Sequence, residues 1–206
     1  DPLRIVLVYL YELFGADWTR YFPAEEQTRA AVLLQLVEKK KSLVYTSSMG
    51  RLFDAVAALL GICTRPTYEG EAAARLEARA TAVTGAGYPW NLETGTRPWV
   101  IDPRPLLAAV AAERAGGKDL AAPATVFHNT VVEIIVKTVA RLEAEAGEKN
   151  VCLSGGVFQN RFLAVKTARE LAARGFRPFF NRQVPPNDGG IALGQVYGLL
   201  LEEAGG

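Results

Sequence analysis

Between residues 150 and 180 the chain reads strand, glycine turn, helix, strand, and few folds accept that order. Asn150-Val151-Cys152-Leu153 has the pattern of a short buried strand and Ser154-Gly155-Gly156 that of a tight loop. Phe158 to Arg174 then reads as a helix and Arg177 to Phe180 as a second strand, before a loop at Pro185 to Gly190 and a last helix. Strands alternating with helices in this way predict an α/β fold. The remainder is largely helical, with helices expected at 2–14, 24–40, about 49–60, 71–80, 103–114 and 123–146. The second carries Ala30, Val32, Leu33, Leu36 and Val37 at helical spacing and ends in Lys39-Lys40-Lys41, charges that suit a helix C-terminus. Ser47-Ser48 reads as the cap of the third, and Gly61 as its stop. From Gly85 to Pro105, Tyr88, Trp90 and Leu92 alternate, Gly95 turns and Trp99-Val100-Ile101 returns. This is a β-hairpin signal, with Trp90 and Trp99 expected to face each other in the core.

Several function classes are excluded by what is scarce. Lys+Arg number 23 against 22 Asp+Glu, a formal charge of +1, so no basic excess exists to displace counterions from nucleic acid. No apolar run reaches the roughly 18–20 residues of a membrane span. Asp1 to Phe14 is apolar but carries Asp1, Arg4 and Glu12, with no small-residue cleavage site after it, which is not a signal peptide. Cys63 and Cys152 are far apart and form no C-x-x-C, against a disulfide scaffold or a cysteine zinc site and in keeping with a reducing cytoplasm. His128 is the single histidine. The 206 residues suit one large domain or two small ones. Because the chain opens on Asp-Pro rather than Met, directly in a helical pattern, it is expected to be a piece of a longer protein.

Four places could carry chemistry. Leu153-Ser154-Gly155-Gly156-Val157-Phe158-Gln159-Asn160 takes a strand through two glycines into a helix, and glycine lets a phosphate approach backbone N–H groups. It is neither a Walker A loop nor G-x-G-x-x-G, and read locally it is equally a hinge. In Pro186-Asn187-Asp188-Gly189-Gly190, Asp188 could hold a divalent cation bridging phosphates, though locally a cap for the last helix is the simpler reading. Asp54, one turn from Gly50 on an apolar helix, could hold a ribose hydroxyl or simply face solvent. Tyr68-Glu69-Gly70-Glu71 is either a close backbone approach at Gly70 or an exposed acidic turn. His128, beside Phe127 and without a second histidine or nearby cysteine, suits a packed or capping role. No G-x-S-x-G or Ser/His/Asp set supports a hydrolase.

In their order and spacing, Leu153–Asn160, Asn187-Asp-Gly-Gly-Ile-Ala-Leu-Gly-Gln195, Thr46-Ser-Ser-Met-Gly-Arg-Leu-Phe-Asp54 and Tyr68-Glu-Gly-Glu-Ala-Ala73 form one pattern. From near residue 1 to about 200 the chain resembles the C-terminal part of the hydrogenase maturation carbamoyltransferases, the HypF family. The resemblance implies an actin-like ATPase fold of two ribonuclease-H-like lobes closing on a nucleotide. Residues 1–84 would be a helical connecting region with nucleotide-contacting motifs, and 85–206 the C-terminal lobe. It also implies the chemistry. A separate YrdC-like domain makes carbamoyl adenylate from carbamoyl phosphate and ATP. The actin-like domain passes the carbamoyl group to the C-terminal cysteine of HypE, where it becomes a cyanide ligand of [NiFe] hydrogenase.

By the same resemblance, Gly155 and Gly156 would hold phosphates, Asn160 would face the base and Asp188 would join a divalent metal. Asp54 and Gly70 would lie against the ribose, with Glu69 or Glu71 nearby. The attacking thiolate comes from HypE, so no catalytic nucleophile is expected here. The family's H-x-x-x-H metal ligands belong to an N-terminal lobe absent from this chain, so the chain alone is expected to be inactive. Three alternatives stand beside this reading. The tRNA threonylcarbamoyl transferases carry a Gly-Gly-Val-Ala-Ala-Asn type loop, where this chain has Gly-Gly-Val-Phe-Gln-Asn. Antibiotic O-carbamoyltransferases share the fold, and a nucleotide-binding module without catalysis is the third.

Overall fold

Asp1 starts the first helix, α1 (Pro2–Phe14): its carboxylate accepts the Leu3 N–H, and proline fits the first turn because it has no N–H to leave unpaired. Leu3, Val6, Leu7 and Leu10 recur at helical spacing and are all buried. The computed structural model describes residues 1–39, 46–81, 85–116 and 120–205. They fall into two compact units, 1–134 and 135–206.

The first unit is helical. A 3-10 turn at Ala24–Glu26 precedes α2 (Gln27–Glu38), so the helix expected from residue 24 begins three residues later. Ala30 and Leu34 face inward, while Val32 and Leu36 are exposed, leaving a narrower apolar stripe than their spacing suggested. Lys40 and Lys41 lie outside the described residues. Around α3 (Met49–Leu59) pack α1, α4 (Glu71–Glu77) and α5 (Arg104–Ala115). With neighbours on several sides, α3 buries every residue from Phe53 to Leu59, including the polar Asp54. Ser48 stands at its N-cap position without a side-chain hydrogen bond, and Gly61 follows it at φ 74, where a Cβ is disfavoured.

The hairpin forms as expected, β1 (Asn91–Glu93) against β2 (Val100–Asp102), antiparallel with Leu92 opposite Ile101. That register does not place Trp90 opposite Trp99. Both are half-buried, and Trp99 lies under the Arg97 guanidinium at 5.0 Å. The expected tryptophan pair is therefore corrected: the turn is centred beyond Gly95, and continuing the register puts Pro103 rather than Trp99 opposite Trp90. Residues 85–90 lie against α6 (Ala121–Ala146), whose Thr130 hydroxyl accepts the Tyr88 N–H at 2.7 Å. A side chain at Gly87 would come within 3.2 Å of the Thr130 Cα, so glycine is needed there for close approach.

The second unit holds the strand–helix–strand sequence. β3 (Asn150–Leu153) and β4 (Arg177–Phe180) pair in parallel, Asn150 with Arg177 through Leu153 with Phe180, across α7 (Arg161–Ala173). In β3 only Leu153 is buried and Cys152 is exposed, which corrects the expectation of a buried strand. The helix expected from Phe158 is divided by Asn160, with a 3-10 turn at Gly156–Gln159 before α7 proper. The chain closes on α8 (Ile191–Gly205), where Ile191, Leu193, Val196, Tyr197 and Leu199 to Leu201 are each more than half exposed.

Candidate functional site

In the second unit, two loops meet through the main chain. Gly155 stands at φ 99, and its N–H donates to the Pro186 carbonyl at 2.7 Å. This bond ties the turn after β3 to the loop before α8. A Cβ built on Gly190 would stand 2.9 Å from the Pro185 carbonyl oxygen, a backbone clash that calls for glycine, and one on Gly189 would stand in tight contact 3.1 Å from the Pro185 ring. With Gly155 committed, Gly156 and Val157 present N–H groups at the start of the 3-10 turn without a hydrogen-bond partner among the described residues.

Asn160 is the N-cap of α7. It is buried, and its carboxamide oxygen accepts the Leu163 N–H at 2.8 Å. Beside Asp188 the local reading is corrected. Asn187, not Asp188, supplies the cap, accepting the Gly189 N–H at 3.1 Å, because the shorter reach of an Asx turn closes over two residues. The Asp188 carboxylate is exposed and has no hydrogen-bond or ion-pair partner among the described residues.

In the first unit, Asp54 does not face solvent. Its side chain is 7% exposed and pairs with Arg51 one turn earlier, Nη1 to Oδ2 at 3.0 Å. Burial pushes its carboxyl above the usual range, and the Arg51 charge pulls the other way. The other Arg51 nitrogen, Nη2, reaches Glu69 at 4.0 Å, so one guanidinium joins the two motifs expected at the ribose. Glu69 and Glu71 separate cleanly. Glu69 is 94% exposed at its side chain, whereas Glu71 is buried and accepts both the backbone N–H and the hydroxyl of Thr67. Those bonds hold its carboxyl below the usual range, aided by Arg75 at 2.6 Å. Gly70 sits between them in the left-handed region at φ 85 and starts α4.

His128 is packed, as expected. It is fully buried, with Nδ1 at 2.8 Å from the Ala124 carbonyl and the rings of Phe53 and Phe127 edge-on at 5.4 and 5.7 Å. Burial pulls its pKa down, so the ring is neutral near pH 7. Among the described residues no group of three or more His, Cys, Asp or Glu could hold a metal. Asp188 by itself is one exposed donor, and the described residues do not make up a metal site. Nor, among them, is any helix long and apolar enough to cross a membrane.

Sequence reasoning passed over three groups: Arg51, Thr67 and the Pro186 carbonyl. Arg51 was visible, since Arg and Asp three apart on a helix face each other. Thr67 and Glu71, four apart across a turn, gave a weaker sign. A backbone carbonyl carries no sequence signal at all.

Comparison with known proteins is consistent across sequence and structure. Residues 1–195 match the family described as carbamoyltransferase, Kae1-like domain, second subdomain. The carbamoyltransferase HypF of Synechocystis is 41% identical over 212 residues, covering 95% of this chain and 27% of that protein. The one from Rhizobium leguminosarum bv. viciae is 44% identical over 153 residues, covering 73% and 19%. A crystal structure of full-length HypF in the phosphate- and nucleotide-bound form superposes with a TM-score of 0.82 at 34% identity, over 92% of this chain and 25% of that one. HypF of T. kodakarensis gives 0.79 at 30% identity, over 98% and 28%. The chain thus spans about a quarter of the length of these relatives. The likeness bears out the expected α/β, actin-like fold class.

Proposed function

The chain belongs to the HypF carbamoyltransferase family, as the second subdomain of its Kae1-like domain, and on that premise we propose that it carries part of the nucleotide site for carbamoyl transfer in [NiFe] hydrogenase maturation. The donor is carbamoyl adenylate, made from carbamoyl phosphate and ATP, and the acceptor is the C-terminal cysteine of HypE. The acceptor thiolate attacks the carbamoyl carbon, a C–S bond forms, and the C–O bond breaks with its electron pair leaving on AMP. Work of this kind belongs in the cytoplasm, where both free cysteines stay reduced.

The observation that carries the proposal is the joined loop pair, with Gly155 donating to Pro186 and the N–H groups of Gly156 and Val157 left for an anion. Fixed N–H donors stabilise charge on a leaving phosphate without reorganising during the step. Asn160, already fixed as a cap, stands four residues beyond Gly156 as the group nearest in sequence for the base. Asp54, Glu69 and Gly70 serve the ribose, and Asp188 offers one ligand to a divalent metal whose remaining ligands come from an N-terminal lobe. We read residues 1–84 as the connecting region and 85–206 as the C-terminal lobe.

The test is acceptor choice. The polypeptide that carries this chain, given carbamoyl phosphate and ATP, should load the C-terminal cysteine of a HypE peptide and ignore tRNA adenosine and sugar hydroxyls. Transfer to either of the latter would replace the proposal with the corresponding relative. ATP binding without transfer to any acceptor would leave the non-catalytic module.

A further inference from the structure

We propose that Arg51 is a positioning residue of this nucleotide site: its guanidinium ties the Asp54 carboxylate to Glu69 and so fixes the acceptor that meets the ribose diol. The inference rests on the reading above, in which Asp54 faces the ribose. Arg51 and Asp54 are three apart on α3, which puts both on one face, and their 3.0 Å contact has hydrogen-bond length. The second guanidinium nitrogen is 4.0 Å from Glu69, which comes from the loop before α4. That loop is not free to drift, since Gly70 sets its left-handed turn and Glu71 holds both polar atoms of Thr67. One side chain therefore spans two separately fixed segments.

The electrostatics favour the same role. Asp54 lies between the buried Phe53 and Ala55, and a carboxylate removed from water needs a partner to stay charged. Only the charged form offers all its lone pairs to two ribose hydroxyls. The charged groups that bear on it are Arg51 on its own helix and Glu69 before α4, which opposes charging. Arg114 of α5 lies at the far end of α3, beside Gly61. Arg51 is itself 40% exposed, so the clamp closes a site that solvent can reach.

The experiment measures ATP and 2′,3′-dideoxy-ATP binding by calorimetry from pH 6 to 8, in the polypeptide that carries this chain. Wild type, Arg51→Met, Arg51→Lys and Asp54→Asn are compared, with thermal unfolding as the folding control. Arg51→Met should bind ATP about tenfold more weakly, the size of one charged hydrogen bond, and the dideoxy analogue unchanged. Its ATP loss should be greater at the acid end of the range than at the basic end, because losing the Arg51 charge removes what pulls the Asp54 carboxyl down, and Arg51→Lys should recover most of the affinity. Equal losses for ATP and the analogue would overturn the role, placing Arg51 at the phosphates instead, and so would a silent Arg51→Met. If Arg51→Met does not fold, Arg51→Lys and Glu69→Gln decide: the first should keep a pH profile near wild type and the second lose ATP affinity by about twofold. Asp54→Asn separates the two levels. If it binds both nucleotides as wild type does, the ribose reading itself fails, whatever Arg51 does.

Discussion

In residues 1–134 the candidate contacts are side chains, Asp54 buried against Arg51 and Glu69 beyond it, and each depends on the packing of α3. In residues 135–206 they are mostly main chain, Gly155 hydrogen-bonded to Pro186, the open N–H groups after it, and a glycine at 190 that crowding requires. The difference matches two kinds of ligand chemistry. A diol is read by a charged acceptor whose ionisation must be maintained. A phosphate is read by N–H dipoles that cannot titrate and need only room. The first kind is sensitive to pH and to its neighbours' charges, the second to any added atom.

The largest effect should come from adding atoms to the main-chain half. Gly190→Val must displace the Pro185 carbonyl, an overpacking cost to folding stability of about 2 kcal/mol, and with the loop displaced ATP binding should be largely lost. Unchanged affinity in calorimetry would mean the loop pair is not the phosphate cradle. Asp54→Ala should follow at about tenfold or more, confined to nucleotides with ribose hydroxyls. A matching loss with the dideoxy analogue would erase the distinction between the two halves.

A pH effect should belong to the first unit. The folded pKa of His128 is depressed, so the unfolded chain binds a proton that the folded chain refuses, and stability rises with pH. The contribution is complete above the unfolded value near 6.5 and is lost as pH falls below it. Urea unfolding from pH 5 to 8 should show this slope, and His128→Gln should flatten it; a wild type with no slope would sink the assignment. Glu71 adds stability of the same sign at lower pH, present above about 4.5 and lost on acidification through its depressed folded pKa.

The smallest effect should be that of Asp188→Ala on stability, within about 0.5 kcal/mol, since the carboxylate is exposed without a partner. Its value lies in the contrast with binding. ATP affinity in Mg²⁺ should fall while the melting temperature stays put, and equal affinity would remove Asp188 from any metal site.

Helices, hairpin and the strand–helix–strand segment were legible because their signals are local: apolar spacing in α1, proline and Asp1 at its start, Gly61 at the end of α3, glycines after β3. The motifs at 46–54, 68–73, 153–160 and 187–195 were legible as words, and so was the family. Burial was not. Asp54 looks like a solvent-facing acid until α1, α4 and α5 close around α3. Val32 and Leu36 look like core until α2 is docked through Ala30 and Leu34.

By itself the sequence determined which elements form and in what order, where several turns need glycine, and which chemistry the motifs could serve, because these depend on neighbours within a few residues. Tertiary structure alone decided that Asp54 is buried while Glu69 is left exposed, that Gly155 binds Pro186, and that Trp90 and Trp99 are not opposite each other in the hairpin. Hydrogen bonding and desolvation act through space, and a carboxylate's role is set by what surrounds it once the chain has closed.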